Sequence, residues 1–181
     1  FEGGIVSFVE DINKGKNKFH SPIYISKKTD STFIEIALQY NDTFNESIFS
    51  FVNTINTIEG GTHYVGFSMA LTRAINDYIK KNNFGESITS DDAKEGLAAI
   101  ISIKIPNPQF EGQTKTRLGN SEVKGIVNSI LYEELSTYFE ETPQIARLII
   151  SKCMNAAKAR EAARKARELT RRKSSLAGSA L

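Results

Sequence analysis

The side chains that could do chemistry in this sequence sit in two places. One is the loop Gln109-Phe110-Glu111-Gly112-Gln113-Thr114-Lys115-Thr116-Arg117-Leu118-Gly119, between an apolar run closed by Pro106 and Pro108 and a long helical pattern. A lysine there can reach away from its own domain, and a fixed ammonium is what a terminal phosphate needs as charge grows on it. A solvated loop with one cation among many is the other reading. The second place is near the end of the chain, where Arg160, Arg164, Lys165, Arg167, Arg171 and Arg172 recur at steps of one to four. Read as a pattern they do not form one stripe but clothe a helix in positive charge, and phosphate contact needs only that. A solvated helix joining two domains gives the same pattern.

Charge is unevenly spread. The 181 residues carry +2 overall, yet residues 152–173 hold nine Lys or Arg against two Glu, a net +7, and residues 1–151 carry −5. Such asymmetry fits contact with a polyanion. Other chemistries lack their motifs. There is no Gly-x-x-x-x-Gly-Lys-Ser/Thr phosphate loop and no Gly-x-Gly-x-x-Gly fingerprint, so the chain is not expected to hold a nucleotide alone. His20 and His63 have no second Cys or His nearby, which argues against zinc and for a capping or hydrogen-bonded His63. Asp91-Asp92 with Glu95 precede a short helical turn, and compensation of its N-terminal dipole explains them better than a metal cluster. The single cysteine, Cys153, reads as a small core residue in a reducing compartment. No tyrosine stands in the setting of a DNA-cleaving nucleophile. No apolar run nears the roughly 18 residues needed to span a bilayer. Phe1-Glu2-Gly3-Gly4 lacks a signal-like start and, without a Met, reads as the middle of a longer protein.

The elements that must position these residues follow from periodicity. With 40% hydrophobic residues the chain can bury one core. Ile5, Phe8, Val9 and Ile12 predict a short amphipathic helix stopped by Gly15, followed by a polar connector with Lys14, Lys16 and Lys18. Residues 32–40 alternate, with Ile34, Ile36, Leu38 and Tyr40 on one face and Glu35 and Gln39 on the other, as in a half-buried strand. After the turn residues 41–45, Ser47 to Asn53 predicts a second strand paired antiparallel with the first. Glu59-Gly60-Gly61-Thr62 breaks the chain before a helix lined by Phe67, Leu71, Ala74, Ile75, Tyr78 and Ile79, which residues 82–85 stop. Leu97 to Ile105 is aliphatic enough for a central strand buried on both faces, completing a strand-helix-strand crossover. Asn120 or Ser121 should cap a helix carrying Val123, Val127, Ile130, Leu131, Leu135 and Tyr138. Thr142-Pro143 should start the last helix, with the hydroxyl at the cap, docked by Ile145, Leu148, Ile149 and Met154. Beyond Ala156 that helix should project, about 30 residues and ~45 Å in all, before a flexible end at 174–181.

Three stretches occur in fixed order: Gly60-Gly61-Thr62-His63, Asp92-Ala93-Lys94-Glu95-Gly96-Leu97 and Phe110-Glu111-Gly112-Gln113-Thr114-Lys115. Together they closely resemble the second, or transducer, domain of DNA gyrase B proteins, in the bacterial type IIA topoisomerase family, and the likeness runs from Phe1 to Lys173. The resemblance implies an α+β fold: a small β-sheet backed by helices with a left-handed βαβ crossover, a ribosomal-protein-like transducer fold, plus a long basic C-terminal helix. The general rule for crossovers would have given a right-handed one. It implies a transducer domain over 1–151, a projecting basic helix over 152–173 that leads to a cleavage domain outside this chain, and the flexible end.

The resemblance also implies function. Lys115, with Gln113 nearby, would contact the γ-phosphate of ATP held mainly by a neighbouring ATPase domain, so that ATP binding and hydrolysis there are coupled to DNA strand passage and negative supercoiling. Thr114 would be a spacer. Arg160, Arg164, Lys165, Arg167, Arg171 and Arg172 would face double-stranded DNA. Implied partners are the ATPase and cleavage domains of the same polypeptide, the gyrase A protein and a second copy of the gyrase B protein, in the bacterial cytoplasm with no membrane. Mg2+ would belong only to the full enzyme, and neither metal nor cofactor to this chain, whose isolated form should be inactive. One departure concerns Gly66-Phe67, which relatives often follow with Arg or Lys facing the DNA cavity; here Ser68 stands there. The same domain of topoisomerase IV, or a simple DNA-binding module using the basic helix, would account for much of the sequence as well.

Overall fold

The computed structural model describes residues 4–114 and 116–179. Its strands are β1 (Ile23–Lys28), β2 (Phe33–Tyr40), β3 (Ser47–Val52), β4 (Ile55–Asn56) and β5 (Leu97–Lys104), and its helices α1 (Gly4–Ile12), α2 (Thr62–Lys81), α3 (Ser90–Lys94), α4 (Ser121–Glu141) and α5 (Pro143–Ser179). The strands form one sheet in the order β1-β2-β5-β3-β4. This is the α+β class expected, a mixed sheet backed by helices with a long C-terminal helix.

The expected antiparallel pairing of 32–40 with 47–53 does not form. β5 lies between them, antiparallel to β2 with Ile36 opposite Ile101, and parallel to β3 with Ser50 opposite Ile101. The physical reason lies in β5 itself, buried almost throughout and aliphatic on both faces, which gains most in the sheet's centre. β3 instead makes its hairpin with β4 through Asn53 and Thr54, both at positive φ (48° and 68°), as in a type I′ turn. β1 has no counterpart among the predicted strands. Only Ile23 and Ile25 point inward, and Lys27 and Lys28 mark it as a blunted edge strand.

One face of the sheet carries the main core. Ile34, Ile36, Leu38 and Tyr40 of β2 and Ala99, Ile101 and Ile103 of β5 pack with Phe67, Leu71 and Ile75 of α2, Val127 and Leu131 of α4, and Ile149 and Cys153 of α5. α2 and α4 come very close: a Cβ at Gly66 would lie 2.5 Å from the Lys124 carbonyl oxygen. The other face is covered by α1, whose Val9 packs with Ala37, Ala98 and Ile100. β2 is therefore not half-buried as its alternation suggests. Gln39 is buried in a polar network, its Oε1 accepting from Asn13 Nδ2 (2.9 Å) and its Nε2 donating to the His20 carbonyl (2.7 Å).

Helix starts and docking also depart from expectation. The Thr142 hydroxyl donates back to the Tyr138 carbonyl at 2.5 Å, so it closes α4, while the Thr142 carbonyl accepts the first α5 bond from Ala146 N. Leu148 is exposed; α5 docks through Ala146, Ile149, Ile150, Cys153 and Ala156. The helix runs on through Ser179, six residues beyond Lys173. Among the described residues, no helix is long and apolar enough to cross a membrane.

Candidate functional site

The loop after β5 is a braced hairpin. Glu111 N donates to the Arg117 carbonyl (2.9 Å) and Gly119 N to the Gln109 carbonyl (2.7 Å), pairing the stems, and a Glu111–Arg117 ion pair at 3.0 Å lies across them. One flank is fastened to the entry of α2: Glu59 N donates to the Thr116 carbonyl (2.9 Å), Leu118 N to the Gly60 carbonyl and Thr62 N to the Leu118 carbonyl (each 3.1 Å). The Thr116 hydroxyl also donates to Glu59 Oε2 at 2.8 Å. Gly61, at φ 126°, leaves no room for a side chain, since a Cβ there would lie 2.4 Å from the Leu118 backbone. The buried Leu118 side chain then anchors the loop in the main core.

Asn120 holds the other flank. It stands at the N-cap of α4 but makes no side-chain cap bond. Its Oδ1 instead accepts from Gln109 N (2.6 Å), and its Nδ2 donates to the Asn107 carbonyl (3.2 Å) and to Glu122 Oε1 (2.9 Å). The expected cap is thus a staple across the loop base. At the tip, Gln113 and Thr114 are exposed, and the Thr114 and Thr116 hydroxyls lie 3.0 Å apart. Lys115, for which the resemblance implies the phosphate contact, lies outside the described residues. The bracing residues Glu59 and Asn120 carry no sign of this role in the sequence beyond their places, Glu59 in the Glu-Gly-Gly-Thr break and Asn120 at the loop's closing end.

The basic residues differ once the helix is built. At about 100° per residue, Arg160, Arg164, Arg167 and Arg171 fall on one face, with Lys165 and Arg172 on another, so the pattern holds a stripe after all. All six are exposed, yet two are engaged. Arg160 grips the buried Asp92 through Nε to Oδ1 (3.2 Å) and Nη2 to Oδ2 (3.1 Å), and Arg164 pairs with Glu161 (2.5 Å) and Glu168 (3.2 Å). Arg167, Arg171 and Arg172 form no ion pair among the described residues.

Asp92 is a structural hub. It closes a capping box with Thr89 at the start of α3, and Arg160 joins it from α5. Burial would raise its carboxyl; the Arg160 guanidinium and the Thr89 backbone bond outweigh that and hold it below the usual range. Lys152 reaches Glu95 at 3.4 Å, a second tie between α5 and the α3 region. Among the described residues no three His, Cys, Asp or Glu gather to hold a metal ion. His63 is buried beside Thr57, its Nε2 3.0 Å from Oγ1, while Nδ1 has no partner among the described residues. Burial pushes its pKa down to about 4. Cys153 is buried, and its thiol is pushed up to about 12. Both are core residues by these contacts.

A family model described as DNA gyrase B matches residues 4–169. The DNA gyrase B protein of Clostridium acetobutylicum is 56% identical over 187 residues and that of Halalkalibacterium halodurans 55% over 186; each match covers all of this chain and 29% of the relative. The chain therefore spans less than a third of these curated relatives. Among solved structures, the 43K ATPase domain of Thermus thermophilus gyrase B, in complex with an aminocoumarin, is similar at TM-score 0.84 and 39% identity, covering 93% of this chain and 46% of that one. The topoisomerase IV ATP binding domain of Francisella tularensis, in complex with a small-molecule inhibitor, follows at TM-score 0.75 and 29% identity, covering 88% and 44%.

Proposed function

This chain belongs to the DNA gyrase B family, and we propose that it is the transducer segment of such a protein, coupling nucleotide turnover in a neighbouring domain to DNA strand passage and supercoiling. One observation carries the reading. The chain aligns with just under half of structures named for ATP binding, has no phosphate-binding motif of its own, and presents an exposed loop tip on firmly fastened stems. Gln113 and Lys115 then complete a nucleotide site whose pocket lies in the other half. Lys115 engages the terminal phosphate while it is attached and lets go when it is lost, so the loop reports the state of the nucleotide. Loss of that contact biases a hinge between the two domains, and α5 carries the motion onward to the cleavage domain and the gyrase A protein. Any Mg2+ used in turnover would belong to the other domains of the full enzyme. The 50–56% identities to gyrase B proteins favour gyrase over topoisomerase IV as the parent.

The exposed arginines of α5 support a second role beside the first, in which the projecting helix contacts the duplex through its phosphates. The two roles act through different elements, the loop after β5 and the projecting part of α5. The coupling role is tested by Lys115→Ala in the complete gyrase B protein reconstituted with gyrase A. Nucleotide binding should be partly kept, while ATP hydrolysis falls at least about 100-fold and ATP-driven strand passage is lost. Supercoiling at the wild-type rate would overturn it.

A further inference from the structure

We propose that Asn120, together with the Glu59–Thr116 pair, is a positioning residue for the 109–119 loop, so that its stems are held ready-made and move as one body with the α2–α4 pair. The inference rests on the coupling reading above. Each stem is tied by a different element. Asn120, only 4% exposed, spends its whole amide on the loop base and on the first turn of α4, bridging Gln109 N, the Asn107 carbonyl and Glu122. On the opposite flank, the segment entering α2 takes Thr116 by main chain and side chain through Glu59, and Leu118 through Gly60 and Thr62. α2 and α4 are themselves in backbone contact at Gly66. Stems fastened at the starts of two closely packed helices cannot swing alone, so their displacement moves the helix pair. Preorganisation of this kind contributes to rate because an ammonium misplaced by about 1 Å costs on the order of 100-fold.

The test uses the complete gyrase B protein with gyrase A. Asn120→Ala should lower kcat for ATP roughly ten- to a hundredfold while KM for ATP changes by less than about threefold, since most ground-state binding lies in the other domain. Asn120→Ala combined with Lys115→Ala should be no slower than Lys115→Ala alone, because Asn120 acts through the lysine. A merely structural residue would lower the double variant further, and that outcome, or a wild-type kcat for Asn120→Ala, would overturn the proposal. On the exposed flank, Thr116→Val should lose about three- to tenfold in kcat, with Thr116→Ser restoring most of it. If Asn120→Ala does not fold, this pair decides, and an unchanged rate for Thr116→Val would sink the idea. Failure of the coupling reading is separate: it shows as wild-type turnover in Lys115→Ala.

Discussion

His63 is the residue whose chemistry is most altered by its setting. An imidazole in the core, with one nitrogen near Thr57 Oγ1 and the other without a partner among the described residues, cannot accept a proton without burying an unpaired charge. Its folded pKa of about 4 lies below the ordinary 6.5, so between these values the unfolded chain binds a proton that the folded one refuses. Stability from this residue is therefore present above pH 6.5 and is lost as pH falls toward 4, by on the order of 3 kcal/mol in all. His63→Gln, which keeps a nitrogen near Thr57, should show a flatter decline in unfolding free energy between pH 6.5 and about 4.5 by urea titration; parallel profiles would contradict this. His20, also lowered by burial, is present in both proteins and cancels in the comparison. The hydrogen-bonded role of His63 and the core role of Cys153 were legible in the sequence, because a lone titratable group without ligands at usable spacing has few other fates. The role of Asn120 was not. Its side chain could cap its own helix or reach across the loop, and only the position of Gln109 decides between them.

Two element-level contacts decide how the loop and the last helix connect to the body of the domain. At Gly61, the backbone of Leu118 runs where a side chain would be, and φ is in the left-handed region. Gly61→Ala should cost at least about 2 kcal/mol in unfolding free energy. It should also expose the 109–119 loop to limited proteolysis, whereas Gly125→Ala, inside α4 where no atom lies within 4 Å, should leave the loop protected and stabilise by about 1 kcal/mol. At the other end, α5 leaves the body past the Asp92–Arg160 pair, which ties it to α3. Asp92→Ala removes the carboxylate half of the α3 capping box and the grip on Arg160 together and should destabilise by about 2–4 kcal/mol. Arg160→Ala, at an exposed position, should destabilise less than Asp92→Ala, because water takes over part of the lost contact. Chemical denaturation of both variants checks this order; a larger loss in Arg160→Ala would reverse the assignment of Asp92 as hub. The sequence identified the Glu-Gly-Gly-Thr break and the Asp-Asp turn as boundaries. That each boundary is also a fastening point follows from what lies across from it.

For the molecule as a whole, charge separation is the property with the widest consequence. A net charge of −5 over residues 1–151 and +7 over 152–173 puts the cations on a helix that leaves the core behind, exposed at every described side chain from Ala162 onward. If that helix contacts duplex DNA, Arg167→Ala and Arg171→Ala should each weaken binding and reduce the salt dependence of log K by about one. Arg160→Ala should change the salt slope least, because its guanidinium is held by Asp92. Fluorescence anisotropy with a short duplex at several salt concentrations measures all three, and equal slopes would show that the Asp92 pair does not withhold Arg160.

By itself the sequence determined the apolar faces of α2 and α4, the fully buried character of β5, the placing of the loop and the concentration of charge, because each is written in spacing along a few turns or strands. Tertiary structure alone decided that β5 divides β2 from β3, that Gln39 is buried, that Glu59 and Asn120 brace the loop, and that Arg160 is engaged while Arg171 forms no ion pair among the described residues. Periodicity fixes which way a side chain faces. What it meets there is set by residues far away along the chain, and no local pattern carries that information.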